Sequence, residues 1–224
     1  MATHTIEILN IENVTHDVRQ YTCTKPVNYQ FTPGQATEVA LDQEGWRDKK
    51  RPFTFTSLPS DHHLEFVIKS YPEHDGVTEQ IGKAKPGDQF IIDDAWGAIR
   101  YQGPGLFLAG GAGITPFISI IRKLTDQHQA FESRLIFSNK KAEDVILQSY
   151  WEKNLGPAFT SVLTQEEAEG HRHTKIDEDF LKEEIRNIHQ YFYICGPDDM
   201  VEDLSKALQN LGVSGDHIIH EEFE

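Results

Sequence analysis

The sequence predicts a two-domain chain: an antiparallel β-barrel or sandwich over residues 1–102, then a parallel α/β layer over residues 103–224. Three observations carry this. Short alternating apolar segments fill the first half, strand-like and helix-like segments alternate in the second, and Tyr101-Gln102-Gly103-Pro104-Gly105 punctuates the change. The length of 224 residues suits two units of about 100 each.

In the first half, strands are expected at residues 3–9, 14–24, 36–41, 52–57, 63–70 and 89–93. Turn chemistry separates them, as in Thr32-Pro33-Gly34-Gln35, Leu58-Pro59-Ser60-Asp61 and Lys85-Pro86-Gly87-Asp88. One helix is expected at 77–83, opened by Asp75-Gly76. In the second half, residues 106–109, 133–138, 159–163, 191–195 and 217–219 read as strands. Residues 115–127, 142–154, 178–187 and 198–209 read as helices. In the first of these, apolar residues at 117, 118, 120, 121 and 124 follow helical spacing. Strand–helix alternation implies a parallel sheet covered on both faces.

Composition narrows the function. Apolar residues make up 38% and aromatics 10%, enough for packed cores. The formal charge of −15 argues against nucleic acid and anionic membrane surfaces as partners. No apolar run is long enough to span a bilayer, and no secretory signal is visible in the first ten residues. Cys23 and Cys195 are too few for a disulfide framework or for an iron–sulfur cluster, which takes about four thiolates. A soluble, cytoplasmic protein without a metal site is expected, and a monomer.

Two motifs lie where strands meet helices. The predicted strand 106–109 runs into Gly110-Gly111-Ala112-Gly113-Ile114-Thr115-Pro116 and then a helix. Glycines let the backbone approach a pyrophosphate, and unpaired amides at a helix start face its charge. Thr115 suits the N-cap and Pro116 the first helical position. The spacing lacks the third glycine of the usual dinucleotide fingerprint, and a turn that only packs helix on strand is the alternative. Cys195-Gly196-Pro197-Asp198-Asp199-Met200 closes another strand and places a thiol at the carboxyl edge of the sheet, where open α/β folds bind ligands. Cys23, inside a β segment, reads as inert core. At the end of the second strand, Ser138-Asn139-Lys140-Lys141 could accept a ribose 2′-phosphate, whereas Glu143 and Asp144 could reject it. In the first half, Arg51-Pro52-Phe53-Thr54-Phe55-Thr56-Ser57 combines a cation, aromatics and hydroxyls. On a strand, Arg51, Phe53 and Phe55 would share one face, which alone fits an ordinary amphipathic strand.

Taken together, Arg-Pro-Phe-Thr, Gly76-Val77-Thr78, Gly-Gly-Ala-Gly-Ile-Thr-Pro and Cys-Gly-Pro-x-x-Met resemble the ferredoxin–NADP reductase superfamily, in its order and spacing and across nearly the whole chain. The chain looks like the stand-alone flavodoxin/ferredoxin reductase type. The resemblance implies a Greek-key β-barrel that binds flavin, FAD rather than FMN, and a Rossmann-like domain that binds NADH or NADPH. By position, Arg51 and Pro52 would meet the flavin pyrophosphate, Phe53 would pack on the flavin, and the Thr54 hydroxyl would approach flavin N5. Relatives commonly carry Tyr where Phe53 stands. Backbone at Ile68, Lys69, Ser70 and Tyr71 would line the flavin, and Gly76, Val77 and Thr78 would offer amides to its pyrophosphate. Gly111, Gly113, Thr115 and Pro116 would hold the dinucleotide, with Cys195, Gly196, Pro197 and Met200 near the nicotinamide. Ser138, Asn139 and Asp144 look like those of NADH-preferring relatives, although Lys140 and Lys141 replace uncharged residues there. Glu221 would sit near the thiol and Phe223 would cover the flavin, the alternative being a frayed acidic terminus.

The implied activity is an FAD-dependent NAD(P)H oxidoreductase in which Thr54, Cys195, Glu221 and Phe223 surround the reacting rings. Its acceptor would be a ferredoxin- or flavodoxin-like carrier docked near Arg47, Lys49, Lys50 and Arg51, with Lys83 and Lys85 nearby; the alternative for this run is a solvated loop with Asp48 offsetting its charge. A free flavin or another small molecule is the alternative acceptor, and a non-catalytic dinucleotide-binding module is the alternative of another class. His171-Arg172-His173 reads as an exposed loop.

Overall fold

A computed structural model describes residues 2–71, 76–97 and 99–221. Two six-stranded sheets dominate it. The first contains β1 (His4–Asn13), β2 (Val18–Thr24), β3 (Ala36–Leu41), β4 (Arg51–Thr54), β5 (His63–Lys69) and β6 (Gln89–Ile92). These run antiparallel in the order β4-β3-β6-β1-β2-β5. A single bridge from Phe55 to Phe66 joins the end of β4 to β5 and draws the two edges together. Inside, Phe55 stacks on Phe31 at 4.4 Å and sits 5.2 Å from Phe66. Cys23 is fully buried in this core. The short helix α1 (Val77–Ile81) closes one end of the barrel. Its last carbonyls accept bonds from Tyr21 Oη, at 2.9 Å, and Arg19 Nη1, at 2.5 Å.

The strand expected over 52–57 stops at Thr54. Phe55, Thr56 and Ser57 are all buried, so the alternation of faces ends as the chain passes beneath the second domain. Phe53 stays half-buried and Arg51 exposed.

The second sheet is parallel, with β7 (Gly105–Gly110), β8 (Arg134–Asn139), β9 (Phe159–Leu163), β10 (Arg172–His173), β11 (Tyr191–Cys195) and β12 (Ile218–Ile219) in the order β10-β9-β8-β7-β11-β12. Alternate residues serve opposite faces. Phe107, Ala109, Leu135, Phe137 and Tyr193 pack under α2 (Thr115–Asp126) and α3 (Gln148–Leu155). Leu106, Leu108, Ile136, Phe192 and Ile194 pack under α4 (Glu178–Glu184) and α5 (Asp198–Asn210). The α2 face also gathers Val18, Val67 and Ile99 of the first half, so the two halves share a continuous apolar joint.

Two local expectations change. Residues 142–154 do not form one helix: a 3-10 turn at Ala142–Asp144 is followed by extended backbone, and α3 starts only after Leu147, at φ 56°. Burial of Val145 and Ile146 in the core on the α2 side of the sheet outweighs the helical pattern. Arg172 and His173 form the edge strand β10 on Val162 and Leu163, where a loop was expected. Among the described residues, no helix is long and apolar enough to cross a membrane.

Candidate functional site

The chain leaves β7 toward β8 on one side, while β11 lies on the other, so the sheet changes direction between β7 and β11. Such a switch point opens a crevice at the carboxyl ends of the strands. Register places Gly110 beside Ser138 and Ala109 beside Cys195 along that edge. A cavity of about 1020 Å³ opens there. Its sheet-side wall is Gly110–Gly113, Ser138–Lys141, Glu143, Asp144, Thr164, Gln165, Gly196, Pro197 and Met200. The barrel supplies His16 and Asp17 from the β1–β2 turn, and Lys69, Ser70 and Tyr71 from the end of β5.

The glycines have different reasons to be there. A side chain on Gly113 would lie 2.3 Å from the Cys195 carbonyl oxygen, so only Gly lets the two turns interlock. Gly110 meets Met200 Sδ and Pro197 in the same way. Gly111 has φ +51° and open space where a Cβ would project, on the cavity side. Thr115 does not cap the helix as its sequence position suggests. A 3-10 turn at Gly111–Ile114 comes first, so Thr115 is already helical and its hydroxyl donates to the Ala112 carbonyl at 3.0 Å. Pro116 follows within the first turn, its ring buried.

Beside this turn, Asn139 is 6% exposed and its Nδ2 has no hydrogen-bond partner. A buried amide donor left unpaired costs about 1–3 kcal/mol, which a ligand acceptor would offset. Asp144 turns its carboxylate to the Lys141 amide at 3.0 Å and lies 3.9 Å from His16 Nε2 across the cleft. Lys141 Nζ is 3.7 Å from Glu143, and Lys140 is exposed. Charges of both signs therefore meet at this rim.

The barrel residues form a second group. Thr54 pairs with Ala36 across β4 and β3, and Ala36 exchanges two backbone bonds of 2.8 Å with Trp96. A Cβ on the next residue, Gly97, would lie 2.6 Å from Glu221 Oε1. The Glu221 charge also acts on Cys195. Burial, with the Glu221 charge adding to it, pushes the Cys195 thiol up to about 12. The barrel side, from Thr54 through Ala36 and Trp96 to Gly97, thus meets Glu221, whose charge is also felt by the Cys195 thiol. Phe223 lies outside the described residues.

Other expected positions are more dispersed. Arg51 and Pro52 are exposed on β4, and Arg51 Nη1 donates to the Lys50 carbonyl at 2.8 Å. Ile68 and Val77 point into the barrel core, leaving only their backbone for a ligand. Lys69 pairs with Asp17 at 2.9 Å, Gly76 leads into α1, and the Thr78 carbonyl accepts from Ser70. In the basic run, Arg47 pairs with Asp42, Lys50 with Asp93 at 2.7 Å, and Lys49 lies 4.0 Å over Trp46. Lys83 pairs with Glu79 at 2.5 Å. His16, Asp17, Thr164 and Gln165 line the cavity without having been singled out from sequence, because none stands in a motif and each arrives through a distant pairing.

Residues 107–206 match the oxidoreductase NAD-binding domain family. The reductase component of the naphthalene 1,2-dioxygenase system of Pseudomonas putida, a ferredoxin–NAD(P)(+) reductase, is 26% identical over 227 residues, covering 96% of this chain and 67% of its own. Human cytochrome b5 reductase 4 is 27% identical over 95% of this chain and 46% of its own length. The chain spans 67%, 65% and 59% of the length of three reductase and electron-transfer components that it matches. Among solved structures, the ferredoxin NADP+ reductase of Neisseria gonorrhoeae, with bound FAD and NADP, superposes with a TM-score of 0.85 at 21% identity, covering 98% of each chain. The flavohem-like FAD/NAD-binding domain of the Vibrio cholerae nitric oxide dioxygenase gives 0.85 at 18% identity. A closing antiparallel barrel, a parallel sheet with its crevice facing it, and relatives matched along almost the whole chain agree: residues 107–206 form an oxidoreductase NAD-binding domain, and the chain as a whole has the two-domain fold of the ferredoxin NADP+ reductase and is similar to ferredoxin–NAD(P)(+) reductase components.

Proposed function

We propose that this chain is an NAD(P)H-dependent flavoprotein reductase that passes electrons from nicotinamide through FAD to a ferredoxin- or flavodoxin-like carrier. The observation that carries this reading is the cavity of about 1020 Å³ between the halves, walled by the glycine turn and the Gly196-Pro197 turn on the sheet edge and by Lys69, Ser70 and Tyr71 of the barrel.

The residues present fit both groups. The unpaired Asn139 amide, the open space at Gly111 and the close backbone approach at Gly113 form a cradle for a dinucleotide. On the barrel side, Arg51, Pro52 and Phe53 on β4, Lys69 and Tyr71 at the end of β5, and the start of α1 would hold the flavin. Bound there, FAD supplies hydride acceptance from nicotinamide and release of electrons one at a time. The chain's own work is positional. Thr54 would offer its hydroxyl to the flavin edge. Gly113, Thr115 and Pro116 set the helix start behind the pyrophosphate, and Gly196, Pro197 and Met200 shape the nicotinamide wall. Cys195, its proton retained by burial, acts as an uncharged wall group and not as a nucleophile. Glu221 holds its carboxylate beside that thiol, and Phe223 would cover the flavin face. Ser138, Asn139 and Asp144 would contact the adenosine half, with NADH and NADPH both within the reading. A monomer in the cytoplasm is part of the proposal; two free cysteines suit a reducing compartment.

The pairing of Arg47 and Lys50 with Asp42 and Asp93 favours a second reading, in which the acceptor is a free flavin or another diffusible molecule. Purified protein should be yellow and should bleach anaerobically on adding NADH or NADPH. A colourless protein that binds dinucleotide without redox change would leave only a binding module. Oxidation of the reduced protein by ferredoxin, by flavodoxin or by free flavin then separates the acceptors.

A further inference from the structure

We propose that Arg122 is a positioning residue that fixes the spacing between the two half-sites. This rests on the functional reading above. Arg122 lies on α2, the helix that follows the glycine turn, yet its guanidinium hydrogen-bonds Thr56, Glu65 and Asp61, all of the barrel. Its Nη1 donates to the Thr56 carbonyl at 2.9 Å and to Glu65 Oε2 at 2.7 Å, and its Nη2 to Asp61 Oδ2 at 3.3 Å. Those acceptors are themselves held. The Thr56 amide bonds to the Glu65 carbonyl at 2.8 Å, and Asp61 Oδ2 caps the Leu58 amide at 2.8 Å. Thr56 follows Thr54 by two residues, so the guanidinium grips the segment that carries the flavin-side hydroxyl.

The rest of the joint does not fix orientation as tightly. Val18, Val67 and Ile99 meet α2 through apolar packing, which holds the halves together without strong directionality. Two further polar contacts cross the joint: the Gly34 amide to Ser119 Oγ at 3.1 Å on the same helix, and the longer His16–Asp144 pair at 3.9 Å across the cleft. A planar fork with three acceptors on separate points of the barrel resists rotation in a way that an ammonium cannot. Ring-to-ring transfer is steep in distance and angle, so a small loss of registration slows it without removing either binding site.

The test uses the whole chain with FAD. Spin labels go on Lys85→Cys in the barrel and Lys153→Cys on α3, both exposed; native Cys23 and Cys195 are held near 12 and react slowly. Wild-type background should give one narrow interlabel distance, and Arg122→Met a broadened one. Arg122→Met should reduce the rate of flavin bleaching about 10-fold or more, with nicotinamide affinity changed less than about 2-fold. Arg122→Lys should recover part of both, and Glu65→Gln should fall between wild type and Arg122→Met. If Arg122→Met fails to fold, the Arg122→Lys and Glu65→Gln proteins carry the test. Unchanged distances and unchanged bleaching in the folded variants overturn the clamp, as does an equal loss of affinity and rate. A wild type that does not bleach removes the functional reading instead, and the distance measurement still decides whether Arg122 fixes the joint.

Discussion

At the residue scale, neighbouring glycines of one turn answer to different forces. Gly113 is required by packing: a Cβ would strike the Cys195 carbonyl, and backbone cannot move aside as a flexible side chain can. Gly113→Ala should therefore cost about 1–3 kcal/mol of stability and weaken dinucleotide binding. Gly111 is required by its positive φ, and it lines the cavity. Gly111→Ala should cost about 1–2 kcal/mol and lose dinucleotide affinity out of proportion to that. Paired unfolding and titration measurements check this, and an equal ratio of the two losses at both positions would contradict the distinction. Cys195 gives a pH prediction. Its thiol, held up to about 12, stays protonated through the working range, so the nicotinamide-dependent reduction rate should show no inflection from it between about pH 6 and 10. An inflection there that Cys195→Ser abolishes would show an ionising thiol.

At the element scale, the edge of the parallel sheet depends on charges that its short strands cannot replace. β10 has two residues, and the first of them, Arg172, reaches Glu184 at 2.5 Å and lies 4.4 Å over Phe180. Arg134, opening β8, bonds both the Glu184 carboxylate and its carbonyl. Partial burial raises the Glu184 carboxyl, but Arg134 and then Arg172 outweigh that and leave it below the ordinary glutamate value. A carboxyl lowered on folding stabilises fully above its unfolded value, and that contribution is lost as pH falls through the lowered one. Glu184→Gln should destabilise by on the order of 1 kcal/mol at neutral pH, and the two proteins should converge in acid. Denaturant unfolding across that pH range tests it; a constant difference at all pH values would place the effect in packing instead.

At the scale of the whole molecule, a net charge of −15 sets the terms on which any partner approaches. An acidic carrier meets overall repulsion and needs a local positive field to dock. Lys49, exposed and stacked on Trp46, is the cation of the basic run best placed to test this without disturbing an ion pair. Lys49→Glu should slow electron transfer to a ferredoxin or flavodoxin about 10-fold at low salt, the gap closing as ions screen the field. Reduction of free flavin should be unaffected. A carrier reaction indifferent to both the substitution and salt would favour the diffusible acceptor.

Much of this was legible along the chain. The strand at 106–109 was legible as a strand between its turns, and in the structure Phe107 and Ala109 serve one face and Leu106 and Leu108 the other, because a strand's period is local geometry. The glycine turn and the Cys-Gly-Pro turn were visible for the same reason: backbone conformation and close approach are written in residue type. Tertiary structure alone decided the break at Leu147, the pairing of β10, the arrival of His16 and Asp17 in the cleft, and the grip of Arg122 on Asp61 and Glu65. Each of these is settled by burial or charge between segments far apart in sequence. Neither residue type nor spacing encodes that until the sheets bring the partners together.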